Sequence, residues 1–297
     1  MKGYGTLAAS VAAAAMLAAC GGGGSGSEND TGSDDKPIPE VLESSNWYWF
    51  GEETTPILTD ESLTALGRTV GFTADNRVGP SHYRVFDEQG ATHGLAMDVR
   101  VYGQSDGYDY IMFGNWAEVS VTPGLEARFN EGSGYGFFAS ARPGNQSEAS
   151  LPPNGTATYR GRYDGYLARS GDDSPLLSEI RDMGTALVKA SFGPLLGGPG
   201  TTGTLSLELL PDGSTPATAA VSFQTPLDGV HFDSHEYQET SSISVTEHAT
   251  RHGQPGVAEG NIWGTFFGPD EVTGIYTFVN GDLAGAGSFG ARQATSQ

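Results

Sequence analysis

The sequence predicts an all-β protein: a C-terminal eight-stranded antiparallel barrel, a β-rich region ahead of it, and one or two short helices. Three observations carry this. Glycine accounts for 44 of the 297 residues, about twice the usual share of roughly 7%. Apolar and polar residues alternate with period two over many short runs, as half-buried strands require. The stretch 260–292 is three such runs joined by two tight turns.

That stretch sets the frame for the rest. Residues 262–267 are apolar or small, and Gly268-Pro269-Asp270-Glu271 breaks the run, with Pro supplying the φ near −65° of a type I turn. In 272–279, Val272, Gly274, Tyr276 and Phe278 share one face, and Thr273, Ile275 and Thr277 the other. Asn280-Gly281 is a strong hairpin signal, because both residues tolerate positive φ. The last run, 283–292, carries Gly285, Gly287 and Gly290, which permit coiling and close approach to a neighbour. Antiparallel strands of this kind must dispose of their edges, and closure does so completely.

The barrel is expected to start near Gly155. Tyr159, Gly161, Tyr163, Gly165 and Leu167 alternate with Arg160, Arg162, Asp164 and Tyr166. A capped run with an early Pro, 173–180, predicts a short helix. Further strands fall at 185–192, 202–210, 217–224, 229–232 and 241–246. With the three C-terminal runs this gives about eight or nine strands, a barrel filled by its own side chains. Such a barrel leaves little room for an internal ligand.

Residues 46–147 are β-rich. Trp47-Tyr48-Trp49-Phe50 opens the region, 59–67 reads as one short helix with a Thr or Asp cap and a Gly stop, and strands follow at 82–86, 94–102, 108–116, 118–122 and 132–142.

The N-terminus gives the single cysteine its meaning. Lys2 supplies a positive charge, 6–17 is an Ala-rich apolar stretch, and Leu17-Ala18-Ala19-Cys20 matches a lipoprotein signal peptide cleaved before Cys20. Residues 1–19 are then the leader, and Cys20 the site of thioether lipidation, where two or three acyl chains hold a protein stably. Gly21 at the next position is similar to lipoproteins released to the outer membrane. Residues 20–45 form an acidic Gly/Ser-rich tether, with Glu28, Asp30, Asp34, Asp35, Glu40 and Glu43 against Lys36 and little that is apolar.

Charge and motifs restrict the function. Lys and Arg number 15 against 36 Asp and Glu, a net charge of −21, which offers nothing to nucleic-acid phosphates. One cysteine excludes an intrachain disulfide and a multi-cysteine metal site. The two GxGxxG matches, at Gly198-Gly200-Gly203 and Gly285-Gly287-Gly290, lack the helix that a nucleotide site needs. No GxSxG occurs, no nucleophile–base–orienter set stands out, and no cofactor is called for. The sequence therefore reads as a binding protein rather than an enzyme.

One constellation is a metal candidate. On a strand His231, Asp233 and His235 project from one face, in reach of a zinc or copper ion, with His248 and His252, or His82 and His93, as further ligands. The alternative is a set of solvated polar residues on a barrel loop. Tyr108, Tyr110, Trp116, Tyr135, Phe137 and Phe138 are candidate binding anchors, with core membership the favoured reading.

Two segments carry a resemblance. Gly260, Gly264, Phe266, Gly268, Pro269, Asp270, Glu271, Gly274, Phe278, Gly287, Phe289, Gly290, Ala291 and Arg292 follow the order found in the last strands of the transferrin-binding protein B type lipoprotein barrel. Residues 151–168 (LPPNGTATYRGRYDGYLA) are similar to the segment that opens it. The resemblance implies that 148–297 is the barrel domain and 46–147 a handle-like region. It further implies a lipid-anchored outer-membrane protein, exposed at the cell surface. Such a protein captures an iron, haem or metal carrier or a solute for a partner such as a TonB-dependent outer-membrane receptor. The rivals are a structural envelope lipoprotein without ligand and a periplasmic metal-binding lipoprotein.

Overall fold

The computed structural model describes residues 47–51, 57–87, 93–123, 134–143, 145, 149, 151–152, 154–169, 180–194, 201–211, 221–234, 241–245, 256–280 and 283–294. Cys20, the tether, His235, His248, His252 and most of the expected helix at 173–180 lie outside them.

Three layers stack on one another. The outermost is a small sheet of β2 (Ile57–Leu58), β3 (Ser62–Ala65) and β4 (Arg68–Gly71). Beneath it lies the handle, six strands in the order β1 (Trp47–Gly51), β9 (Tyr135–Ala141), β8 (Ile111–Val121), β7 (Gly94–Tyr102), β6 (His82–Phe86), β5 (Arg77–Gly79). The third layer is the barrel.

Period two sorts the handle's side chains between its neighbours. Met97, Val99, Val101, Met112, Trp116 and Phe138 point at the small sheet and meet Leu63, Ala65 and Val70. Ile111, Phe113, Phe137, Ala139 and Ala141 point the other way and meet Phe267, Ile275 and Ala286 of the barrel. The aromatic anchors of the sequence reading are therefore core. Tyr108, Trp116, Phe137 and Phe138 are buried, and Tyr110 and Tyr135 pack partly buried against them.

Two expectations for this region are corrected. The helix at 59–67 is a β-hairpin instead. Thr59 Oγ1 accepts the N–H of Glu61 and of Ser62 in a local turn, while Leu66 (φ 52°) and Gly67 (φ 71°) make the tight connection from β3 to β4. The alternating burial of Ser62-Leu63-Thr64-Ala65 against the handle outweighs the capping pattern. The separate strands at 108–116 and 118–122 are one strand, β8, running through Ala117, and 108–110 is a loop.

The barrel is an antiparallel meander of β10 (Gly155–Arg169), β11 (Ile180–Pro194), β12 (Thr201–Pro211), β13 (Val221–Asp228), β14 (His231–Asp233), β17 (Glu259–Phe267), β18 (Glu271–Asn280) and β19 (Leu283–Gln293). Pairing of β10 with β19 closes the ring, with Tyr163 opposite Phe289. β15 (Ser242–Val245) extends the short β14 along β13, and β16 (Gly256–Val257) pairs with β15. Tyr159, Phe192, Phe232, Phe266, Tyr276, Phe278 and Phe289 share one buried interior cluster with Leu205, Leu207 and Leu209. The Phe232, Tyr159 and Phe192 rings each meet Phe266 edge-on. The expected filled barrel is what the chain builds.

Strand β18 shows how layering changes a face. Val272, Tyr276 and Phe278 enter the barrel, as the alternation predicts. The opposite face, Thr273, Ile275 and Thr277, is buried too, because the handle covers it.

Candidate binding surface

The seam between handle and barrel decides what surface the molecule presents. Its centre is Glu271, the first residue of β18, whose side chain is fully buried. Glu271 Oε1 accepts the backbone N–H of Asp109 at 2.8 Å; Oε2 accepts those of Tyr110 at 2.8 Å and Ile111 at 3.1 Å. Three donors turned toward one carboxylate tie the loop 108–110 to the barrel wall. Burial pushes Glu271 above the ordinary glutamate range, against the pull of these N–H groups and Arg292.

Other polar contacts extend the seam. Ser288 Oγ donates to Gly114 O at 2.9 Å, Tyr108 Oη to Gly290 O at 3.2 Å, Tyr102 Oη to Asp164 Oδ2 at 3.1 Å and Tyr166 Oη to Asn115 Oδ1 at 3.3 Å. Arg292 donates to Gly107 O at 2.9 Å and Asp109 Oδ2 at 2.6 Å, and holds Asp270 at 3.0 Å. Burial pushes the Tyr108 phenol up to about 12, with Asp106 and Glu271 adding to it against Arg162.

Close approach makes this possible. A Cβ on Gly290 would collide with the Phe113 ring, and one on Gly114 with Arg100 O of the neighbouring strand. Gly290 thus serves as the seat for the Phe113 ring of the handle rather than as part of a phosphate loop. Each buried phenylalanine at the seam contributes about 1.5–3 kcal/mol of apolar burial.

The handle's far side carries an ion cluster. Asp98 on β7 meets His82 Nε2 at 2.8 Å and the Arg84 guanidinium, both from β6. Burial works against its charge, but these two partners outweigh burial and hold the Asp98 carboxyl below the usual range.

The metal candidates are only partly brought together. His231 and Asp233 lie on β14, His231 exposed with Nδ1 2.7 Å from Thr265 Oγ1, and Asp233 half-buried. His82 is engaged by Asp98 in the handle, and His93 is exposed beside β7. Among the described residues no group of three or more His, Cys, Asp or Glu converges to hold a metal.

Ile57, Val78 and Leu95 are exposed apolar residues of the two handle-side sheets, and Val257 of β16 is 87% exposed on the barrel side. Sequence reasoning missed Glu271, which it assigned to a turn; the signal was an acid followed at once by a strand with both faces apolar or small.

No family model matches the chain, and no curated protein does. Solved structures do. Intact Ap-TbpB, with its N and C lobes, superposes with a TM-score of 0.52 at 12% identity over 80% of this chain and 42% of that one. A mutant of the vaccine antigen transferrin-binding protein B from Haemophilus parasuis Hp5 superposes with a TM-score of 0.51 at 13% identity, over 84% and 45%. The fold is that of transferrin-binding protein B. The chain spans less than half the length of these proteins, and at such identities the likeness concerns architecture. It agrees with the architecture that the resemblance at 151–168 and 260–292 implies, a closed barrel with a further sheet packed on its wall.

Proposed function

We propose that this chain is a lipid-anchored, surface-displayed binding lipoprotein of the outer membrane. It captures a carrier of iron, haem or another metal, or a solute, and passes it to an outer-membrane transporter such as a TonB-dependent receptor. The observation that carries the reading is the architecture: a filled barrel fused along one wall to a second sheet, in the arrangement of transferrin-binding protein B. A packed interior directs recognition to the exterior and its loops, where a rigid scaffold presents binding residues. The leader 1–19 and lipobox Cys20 supply the anchor in this reading, and the net charge of −21 favours encounter with basic partners. The domains follow as 20–45 tether, 46–147 handle and 148–297 barrel.

The test is a pull-down with the fragment from Asn46 onward, with mass spectrometry and elemental analysis of the eluate. A single stoichiometric species carrying iron, haem or another metal supports the reading. An empty eluate from metal-limited host fluid favours the structural envelope lipoprotein.

A second reading is a periplasmic metal-binding lipoprotein using His231, Asp233 and His235. It rests on His231 and Asp233 sharing β14 with the His231 ring exposed. The metal-to-protein ratio of a His231→Ala/His235→Ala variant decides it: an unchanged ratio ends the idea.

A further inference from the structure

On the outer wall of the barrel, Arg160 and Arg162 stand two residues apart on β10, both exposed and on the same face. Arg160 lies directly opposite Arg292 of β19, and Lys189 of β11 lies opposite Thr158, one step along the same face. In a chain with 36 acidic residues against 15 basic ones, cations are expected to find carboxylates, and five of the described ones do. Arg68, Arg84, Arg142, Lys189 and Arg292 each hold at least one, whereas Arg160 and Arg162 hold none among the described residues. Of the nearby carboxylates, Glu208 is held by Lys189, Asp270, Asp109 and Glu271 by Arg292, Asp164 is buried under Tyr102, and Asp106 accepts from Ser81 Oγ and the Gly103 N–H. Like charges on adjacent strand positions repel, so this stripe favours an anion above it.

The chain carries one within reach. Residues 28–43 hold Glu28, Asp30, Asp34, Asp35, Glu40 and Glu43 against the single Lys36. They lead into β1, whose first residue lies at the same end of the molecule as the stripe. Trp47 pairs with Ser140, Ala141 pairs with Ile111, the Ile111 N–H bonds Glu271, Glu271 pairs with Arg292, and Arg292 pairs with Arg160. Neighbouring strands are about 4.8 Å apart and packed sheets about 10 Å, so the walk is short. Extended chain covers about 3.3 Å per residue, giving Glu43 about 13 Å of slack from Trp47 and Glu28 about 60 Å.

We propose that the acidic stretch 28–43 of this same chain docks along Arg160 and Arg162 on the outer wall of the barrel. Docking of this kind shortens the reach between the N-terminal end and the barrel, and it is released by salt or by a competing polyanion. It does not depend on what the protein captures.

Spin-label distance measurement on the full chain tests it, with Cys20→Ser, Ser33→Cys and Thr158→Cys as the labelled background. The expected result at low ionic strength is a narrow short-distance population. It is lost at 1 M salt, where screening acts within about 3 Å, and lost in Arg160→Glu/Arg162→Glu with the circular dichroism unchanged. A broad distribution at low salt, or a short distance indifferent to the charge reversal, overturns the proposal. So does a short distance that disappears on dilution with unlabelled chain, which would make the occupant a second copy.

Discussion

Glu271 on the barrel and Ile111 on the handle are joined by a 3.1 Å hydrogen bond from the Ile111 N–H to Oε2. They are 160 residues apart in sequence and meet where neither has access to water. The same carboxylate takes the N–H groups of Asp109 and Tyr110, so one side chain terminates the handle loop on the barrel wall.

Removing that acceptor leaves three backbone donors without a partner at the seam. An orphaned buried donor costs about 1–3 kcal/mol. Glu271→Ala is expected to lose about 3–5 kcal/mol in urea unfolding. A loss below about 1 kcal/mol would mean that the loop finds other acceptors.

Gly290→Ala drives a methyl into the Phe113 ring. Overpacking of this kind costs about 1–3 kcal/mol. Combining it with Phe113→Ala is expected to recover part of the loss, a coupling that a double-mutant cycle reads directly. Strict additivity would show that the two side chains do not compete for one space.

Asp98 sets an acid-side dependence. Its folded pKa lies below its unfolded value of 3.8. Its stabilising contribution is therefore fully present above about that value, and is lost as pH falls through the lower folded value. Asp98→Asn is expected to flatten the stability profile below about pH 4. Glu271 has the opposite sign: with its pKa raised above 4.5, its term favours the fold below that value and fades as pH rises through the folded value. A wild-type profile unchanged by Asp98→Asn would contradict the cluster's role.

Burial holds two phenols neutral. Tyr108 and Tyr159 both stand at about 12, Tyr108 chiefly by burial and Tyr159 by burial with the Asp270 charge behind it. An ultraviolet titration of the folded chain is expected to show tyrosines ionising near 12 that move to about 10 on unfolding. Since the folded values are raised, the fold loses stability as pH climbs from about 10 towards 12.

Much of the barrel was legible because local rules agree there. The strands around Gly274 and Phe289 alternate with period two, and β10 alternates from Tyr159 onward. Each also pairs with its neighbour in sequence or closes the ring. The hairpin at 59–67 was not legible, since Thr59 and Gly67 suit a helix cap and stop as well as they suit two turns. Only burial of Leu63, Ala65 and Val70 against Trp116 and Phe138 decides between them. Glu271 escaped for a related reason: an acid beside Pro269 and Asp270 reads as a turn, and its partners lie 160 residues upstream. Contacts that distant leave no local pattern.

The most direct test of the account is capture by whole cells. Intact cells displaying the full chain, and cells carrying Cys20→Ser, are incubated with metal-limited host fluid to which iron carriers have been restored. They are then washed and analysed for bound iron, haem and other metals. More cell-bound metal with Cys20 intact is the predicted result; equal amounts in the two strains would contradict it.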